Sequence, residues 1–460
     1  YYSYFQREAG ILRTAHIGNL TDLQQAIASG EPWYVAPYTR SIDAPRQTMQ
    51  HHLMKVEADH HTGERSRLVL TYAFQSDERQ EYDIRRGGRS NIPALDLYLT
   101  SHAGDLVFKH YLGKHVHGRI GVSGGFQQNT NVPGTGVRPL IPNYRKSNAG
   151  VFIVEHLPLN DRLELEAGAR LEATALDVFT HDSRDQWITP THRFTNHALA
   201  AGANWALRDS VRLRFGLASA FRPPHVSELY SDGLHHGSAA IEVGDATLAP
   251  EQAWTANIDL EATALRGALD VQVGLHASRI DDYIYLRPDG YRLTIRGAFP
   301  VFRYVATDAW LHGLDATLHW RFLPRWSLRS RWSILRAQDR TQDEWLFQMP
   351  SDRTENALLY RRPAWGAWRD VEVGLVSTVV FTQSRVPEGV DFMQAPAGYH
   401  LLGATASIER PLRRGALRIG LEGYNLLGQR YRDIMDRFRY YADARGADVS
   451  LVVRYSFGKP

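Results

Sequence analysis

The densest grouping of metal-ligand side chains lies between Phe221 and Gln252, FRPPHVSELYSDGLHHGSAAIEVGDATLAPEQ. It contains His225, His235 and His236 together with Glu228, Asp232 and Glu242. Imidazole binds transition metals and haem iron, and carboxylates supply the oxygen ligands that zinc accepts. This chemistry makes the loop a candidate for contact with a metal or a haem, through His225, His235 or His236. Adjacent side chains on an extended segment point to opposite sides, so His235 and His236 are not expected to close on one ion. The competing reading is a polar loop near a ligand, with no bond to iron or zinc. Pro223 and Pro224 cannot donate ladder hydrogen bonds, so they should end a strand, and Pro250–Glu251 should open the returning one.

Other groupings carry weaker chemistry. His51–His52 and His60–His61 are sequential pairs, which strand alternation splits between two faces. His115 and His117 are two residues apart, so one face could present both, but zinc needs further ligands that spacing does not locate. Arg85 and Arg86, in RRGGRS, and the arginines from Arg287 to Arg303 could grip anionic chelates bidentately. They could equally bind lipopolysaccharide phosphate or stay solvated. No pattern ties a Ser and a His to an orienting third group, so catalysis is not expected. The 53 Lys and Arg are balanced by 50 Asp and Glu, a net charge of +3, with no basic block of the kind that binds nucleic acid. Cysteine is absent, which removes thiolate metal sites and Cys nucleophiles.

The elements that must position these groups are strands. From Arg162 to Ala175, Leu163, Leu165, Ala167, Ala169, Leu171 and Ala173 alternate with Arg162, Glu164, Glu166, Arg170 and Glu172. A strand sends successive side chains to opposite sides, so one face is apolar and the other charged. The same alternation runs through Trp254–Ala264, Val371–Phe381 and Asp448–Phe457. No apolar run is long enough for a membrane-crossing helix, which does not bear on barrel strands, whose hydropathy averages low. Aromatic residues make up 11% of the chain, and those at strand ends fit interfacial girdles.

Alternation alone leaves a soluble sandwich or propeller open. The connections favour a membrane barrel. Tight turns at 159–161, 208–210, 265–267, 323–325 and 411–415 alternate with long segments at 84–94, 128–143, 179–191, 222–252, 286–302, 339–349, 384–397 and 429–446. Outer-membrane barrels have this asymmetry, with short inner turns and long outer loops. A propeller would repeat at about 40–50 residues, and no such repeat is present. The expectation is therefore an all-β, transmembrane antiparallel β-barrel of about eighteen strands, with its apolar face to lipid and its charged face lining a wet lumen. In the first loop NLTDLQQAIASG predicts a short helix, with Thr21 and Gln24 at capping-box spacing and Gly30 as the stop. No boundary suggests a second domain within residues 1–460.

On these residues the chain resembles the barrel of a TonB-dependent outer-membrane receptor. Phe221, Arg222, Pro223 and Pro224, then Glu228, Leu229 and Tyr230, then Gly244, Leu248, Pro250 and Glu251 are similar to two boxes that frame one outer loop of that family. Pro223 stands where the family usually has alanine, and Asp245–Ala246 where Asn-Pro is common. Gly423 to Tyr431, with Tyr424, Asn425 and Leu426, and a final strand ending near Phe457 are similar to the last hairpin. Gln127 to Tyr144 is similar to a third family loop. The resemblance implies a 22-stranded barrel closed by a plug. The N-terminal plug and the first four strands would then lie outside this chain, which opens on Tyr1 and shows no signal-peptide pattern. It further implies the outer membrane of a Gram-negative bacterium, contact with the bilayer and lipopolysaccharide, and energised uptake through TonB, an inner-membrane partner. The cargo implied is a small molecule, an iron chelate such as a siderophore or haem. No cofactor is required; haem or a ferric chelate would be the transported ligand. A passive diffusion porin, or a receptor of this kind for zinc, cobalamin or a glycan, is the alternative.

Overall fold

The computed structural model describes every residue except 38, 86, 114, 115, 183 and 458–460. Arg86 and His115 therefore lie outside the described residues. The chain is an antiparallel meander. Its first strands are β1 (Tyr2–Gly10), β2 (Arg46–His61), β3 (Arg67–Tyr82), β4 (Leu95–Leu112), β5 (Val116–Asn131), β6 (Asn143–Asn160) and β7 (Leu163–His181). There follow β8 (Trp187–Ile188), β9 (Thr191–Arg208), β10 (Val211–Arg222), β11 (Asp232–His235), β12 (Ala240–Val243), β13 (Glu251–Ala264), β14 (Leu269–Thr294) and β15 (Gly297–Leu323). The last are β16 (Trp326–Asp339), β17 (Glu344–Trp345), β18 (Arg353–Trp365), β19 (Trp368–Val380), β20 (Tyr399–Leu412), β21 (Gly415–Tyr424) and β22 (Asp448–Phe457). The short strands β8, β11, β12 and β17 belong to loops, so the eighteen long strands match the number that alternation predicts.

Register fixes which side chains share a face. Leu165 pairs with Leu157 and Leu171 with Val151, and all four are exposed on the apolar face. On the other face Arg170 reaches across to donate to Ser123 Oγ at 2.9 Å. A one-residue slip would turn every one of these side chains to the wrong face, which is why the pattern specifies the pairing so tightly. Among the described residues β1 pairs only with β2 and β22 only with β21.

Two local expectations need correction. Residues 286–302 do not form an irregular loop. The strands β14 and β15 continue in register through Leu286–Tyr304 and Arg287–Arg303 to Thr294–Gly297, with a bulge between Pro288 and Tyr291. The polar side chains there are explained by a hairpin that rises beyond the apolar band. The predicted helix is present as α1 (Leu20–Ser29) and stops at Gly30 with φ 69°. Its cap, however, is Asn19, whose Oδ1 accepts the Asp22 amide at 2.8 Å, and not Thr21. Asn and Asp are strong N-caps because a short side-chain oxygen reaches the free amides of the first turn.

Hydrophobic packing is concentrated at the outer end. Ala15, Ile17, Leu23, Ala26 and Ile27 pack with Ala239, Ala240, Ala298, Phe302, Phe347, Tyr440 and Tyr441. Residues far apart in sequence, from the first loop, the 223–250 loop, the β14–β15 hairpin and the last loop, thus form one core beyond the strand wall. β12 ties into it by pairing parallel with β15 at Ile241–Val301 and Glu242–Phe302.

Candidate functional site

The loop between β10 and β13 is framed by one arginine. Arg222 Nε and Nη2 donate to the two Glu251 oxygens at 2.8 and 2.7 Å, while Nη1 donates to both Glu228 oxygens at 2.9 and 2.8 Å. Bidentate guanidinium–carboxylate pairing is among the stronger charge-assisted contacts. Glu251 also accepts the Ile284 amide at 2.7 Å, which links the frame to β14. After Pro223 and Pro224 a short helix, α2 (Val226–Tyr230), begins. Glu228 Oε2 accepts the His225 amide at 2.6 Å and His225 Nδ1 accepts the Ser227 amide at 3.3 Å, so His225 caps this helix.

The rest of the frame is packing. Leu229 and Leu248 bury against Tyr144, Leu176, Val178 and Ile284, and the Tyr230 hydroxyl lies 2.7 Å from His192 Nε2. At Gly244 the loop backbone crosses α2 so closely that a Cβ would stand 2.6 Å from Leu229 C and Tyr230 N. No side chain fits there, which is the physical need behind this glycine. In the last hairpin Asn425, fully buried with φ 47°, exchanges hydrogen bonds with Gln429 at 2.9 Å. The Leu426 amide donates to Leu402 O, and the Tyr424 and Tyr431 hydroxyls meet at 2.6 Å. Phe221 sits on β10 opposite Gln252, and Phe457 is exposed on the last strand.

His235 and His236 part, as adjacent residues should. His235 Nδ1 lies 3.0 Å from Glu242 Oε1, and Arg79 lies 3.4 Å from its Nε2. His236 turns the other way and is buried. Arg296 Nη1 donates to its Nε2 at 2.9 Å, and its Nδ1 lies 3.4 Å from Asp83 Oδ2. A guanidinium only donates, so Nε2 must be the bare nitrogen and Nδ1 carries the proton toward Asp83. His16 Nε2 lies 3.3 Å from the other Asp83 oxygen. Burial pushes the His236 pKa down to about 4, against the upward pull of Asp83. Burial works to raise the Asp83 carboxyl, but His16, His236 and Arg296 together hold it below its ordinary value. Glu242 is also held low despite burial, by His235 and by Arg437 at 3.2 Å.

The sequence singles out His235, His236 and Glu242, and Arg296 among the 287–303 arginines, but does not join them; Asp83, His16, Arg79 and Arg437 come from other segments and carry no signal. Arg85 lies two residues from Asp83, where its amide is bound by Ser90 Oγ at 2.9 Å. The arginines of the β14–β15 hairpin face acids: Arg287 reaches Glu344 at 3.3 Å, Arg292 reaches Asp232 at 3.6 Å and Arg303 reaches Asp289 at 3.0 Å. Beside them a cavity of about 560 Å³ opens among the outer loops, lined by Phe347, Phe392, Met393 and Ile434 with Glu388 and Asp391.

A single meandering sheet of long two-faced strands, with short turns at one end and a folded loop assembly at the other, defines a membrane β-barrel architecture. The family model described as TonB dependent receptor-like, beta-barrel, matches residues 5–426, and the chain belongs to that family. Its members are transport proteins of the outer membrane, not enzymes. No curated protein matches the sequence. Among solved structures, the chain is similar to the copper transporter OprC, at 16% identity and TM-score 0.70, over 90% of this chain and 66% of that one. It is similar to the FrpB iron transporter from Neisseria meningitidis, at 14% identity and TM-score 0.68, over 99% of this chain and 68% of that one. It is also similar to the ferric-catecholate import receptor Fiu from E. coli K12, at 14% identity and TM-score 0.65, over 98% and 71%. At these identities the likeness is one of fold. The chain spans about two thirds of the length of these structures.

Proposed function

We propose that the chain is the barrel portion of an outer-membrane receptor that captures an iron chelate outside and passes it inward with energy from TonB. The observation that carries this reading is the family match over residues 5–426 on an eighteen-strand meander. Neighbours named as a copper transporter, an iron transporter and a ferric-catecholate receptor support a metal-bearing cargo. The free edges of β1 and β22 support four further strands and a plug, since an unpaired edge in lipid leaves backbone groups without partners. These segments, with the TonB contact, would precede residue 1. The apolar face would meet the bilayer, with lipopolysaccharide at its outer rim, in the outer membrane of a Gram-negative cell.

Within iron chelates the geometry favours a siderophore over a haem bound through His236. Its Nε2 already accepts from Arg296, and iron ligation would have to displace that guanidinium. His235 keeps part of its ring exposed but stands between Glu242 and Arg79. Arg85 is a candidate cargo contact on the same side. The test is titration of the purified full-length receptor with ferric catecholate, ferric hydroxamate and haemin, read by tryptophan quenching and the Soret band. Tight ferric-chelate binding without a Soret shift is expected. A Soret shift abolished by His235→Ala or His236→Ala would replace siderophore with haem, and binding of none would remove iron chelates as cargo.

A further inference from the structure

A second grouping of metal-ligand side chains lies at the opposite end of the sheet, near the turn between β6 and β7. Register places Tyr111 of β4 opposite His117 of β5, His117 opposite His156 of β6, and His156 opposite Glu166 of β7. Cross-strand partners share a face and stand about 5 Å apart at Cβ. The face is the charged one: His156 alternates with the exposed apolar Ile153, Val151 and Leu157 positions of its own strand. The His117 and His156 rings are parallel, 5.0 Å between centroids and 9° between planes, with Tyr111 stacked on the far side of His117. Glu164 Oε1 lies 3.5 Å and Glu166 Oε2 3.9 Å from His156 Nδ1. That nitrogen is shielded from solvent and has no hydrogen-bond partner among the described residues. One ligand atom each from His117, His156 and Glu164 falls within 4.8 Å of the others.

We propose that His117, His156 and Glu164 bind one divalent transition cation, zinc by class, with Glu166 or a water as the fourth ligand. Two imidazoles and a carboxylate are a zinc donor set, and tetrahedral zinc holds nitrogen at about 2.0–2.1 Å. Closing from 4.8 Å needs side-chain rotation alone, because pairing already fixes the three strands. The cation would satisfy the unpartnered His156 nitrogen and would fasten β5, β6 and β7 together beside their turn. Its entry is a cavity of about 540 Å³, which His61 and Glu64 also line. Arg65, Arg67, Lys109 and Arg119 line it too, but Arg67 is drawn to Asp59 at 3.1 Å. Long cationic stems can carry their charge away from an incoming ion. The site is separate from the outer loops and independent of which cargo they take.

The experiment uses the full-length protein purified in detergent and Co(II) alone as the probe, with Zn(II) as competitor. The expected result is one site with the strong visible absorption of tetrahedral cobalt, lost when zinc is added. His117→Ala and His156→Ala should each weaken it by roughly tenfold or more, at least what removing a supporting group costs such sites. His102→Ala, set among Tyr72, Phe74 and Phe126 and outside that cavity, should leave it unchanged. Glu164→Gln keeps the side-chain shape, so loss of the band with unchanged heat-modifiable migration separates ligand loss from misfolding. An unchanged Co(II) affinity in the His117→Ala, His156→Ala double variant, or a weak octahedral spectrum only, would overturn the proposal.

Discussion

At the inner end the chain reverses through segments such as 161–162, 209–210, 366–367 and 413–414 and buries almost nothing there. At the outer end, segments 11–45, 223–250 and 425–447, with the β14–β15 hairpin, bury Leu23, Ile27, Ala239, Phe302, Tyr440 and Tyr441 in a shared core. Charges follow the same division. Near the inner turns, pairs such as Arg361–Glu372 keep the arginine mostly exposed, whereas outside, Asp83, Glu81, His236 and Arg439 are almost wholly enclosed. Arg439 donates to Asp391 at 2.8 Å, and the Tyr440 hydroxyl donates to the same carboxylate at 2.6 Å. The inner turns only have to join neighbouring strands, while the outer loops have to hold one another in a fixed arrangement. Buried ionic groups are costly unless fully paired, so this end is where single changes should matter most.

The largest effect should come from Arg222→Ala. It would leave Glu228 and Glu251, both mostly buried, without their shared guanidinium, at a cost of about 3 kcal/mol. Thermal unfolding read by heat-modifiable migration, with limited proteolysis between 223 and 250, checks this. A loss below 1 kcal/mol would mean that the frame is held by packing alone.

Acid should loosen the outer assembly next. His236 has its pKa lowered from 6.5 to about 4, so the unfolded loop takes up a proton before the folded one does. Its contribution is complete above about pH 6.5 and is lost as pH falls toward 4, amounting to about 3 kcal/mol. Asp83, lowered for its own part, extends the loss to still lower pH. Hydrogen exchange at residues 236–241 across that range should steepen, and His236→Gln should flatten the dependence between pH 6.5 and 4.

Gly244→Ala should cost about 2 kcal/mol, because the new methyl meets Leu229 and Tyr230 backbone that can yield only by moving α2. Arg361→Ala, at the other end, should cost less than about 1 kcal/mol, as exposed pairs do. Unfolding midpoints of the two variants measured side by side sharpen the contrast. Equal losses would erase it.

The strand wall was legible in the sequence because a period of two is a local signal. Leu163 to Ala173 and Trp254 to Ala262 announce both the strands and their faces. The outer assembly was legible only as a frame. The boxes at Arg222 and Glu251 stand out, but their direct clasp does not, since spacing carries no record of a contact across an intervening loop. His235 and His236 are visible as histidines, while Asp83 and Arg296 arrive from other hairpins and leave no pattern beside them. The β14–β15 extension reads as a loop for a related reason: Arg287, Asp289 and Arg292 look like loop residues because that part of the hairpin has no apolar face to show. His117 stands out in the sequence beside His115, but its partners His156 and Glu164 become neighbours only through register.

Energised uptake is the property on which the proposed function depends most. The most direct measurement is accumulation of a ferric siderophore in Gram-negative cells expressing the full-length gene, with TonB present and absent. The account predicts accumulation that requires both the gene and TonB. Uptake that persists without TonB, with free entry of unrelated small solutes, would contradict it and favour a passive pore.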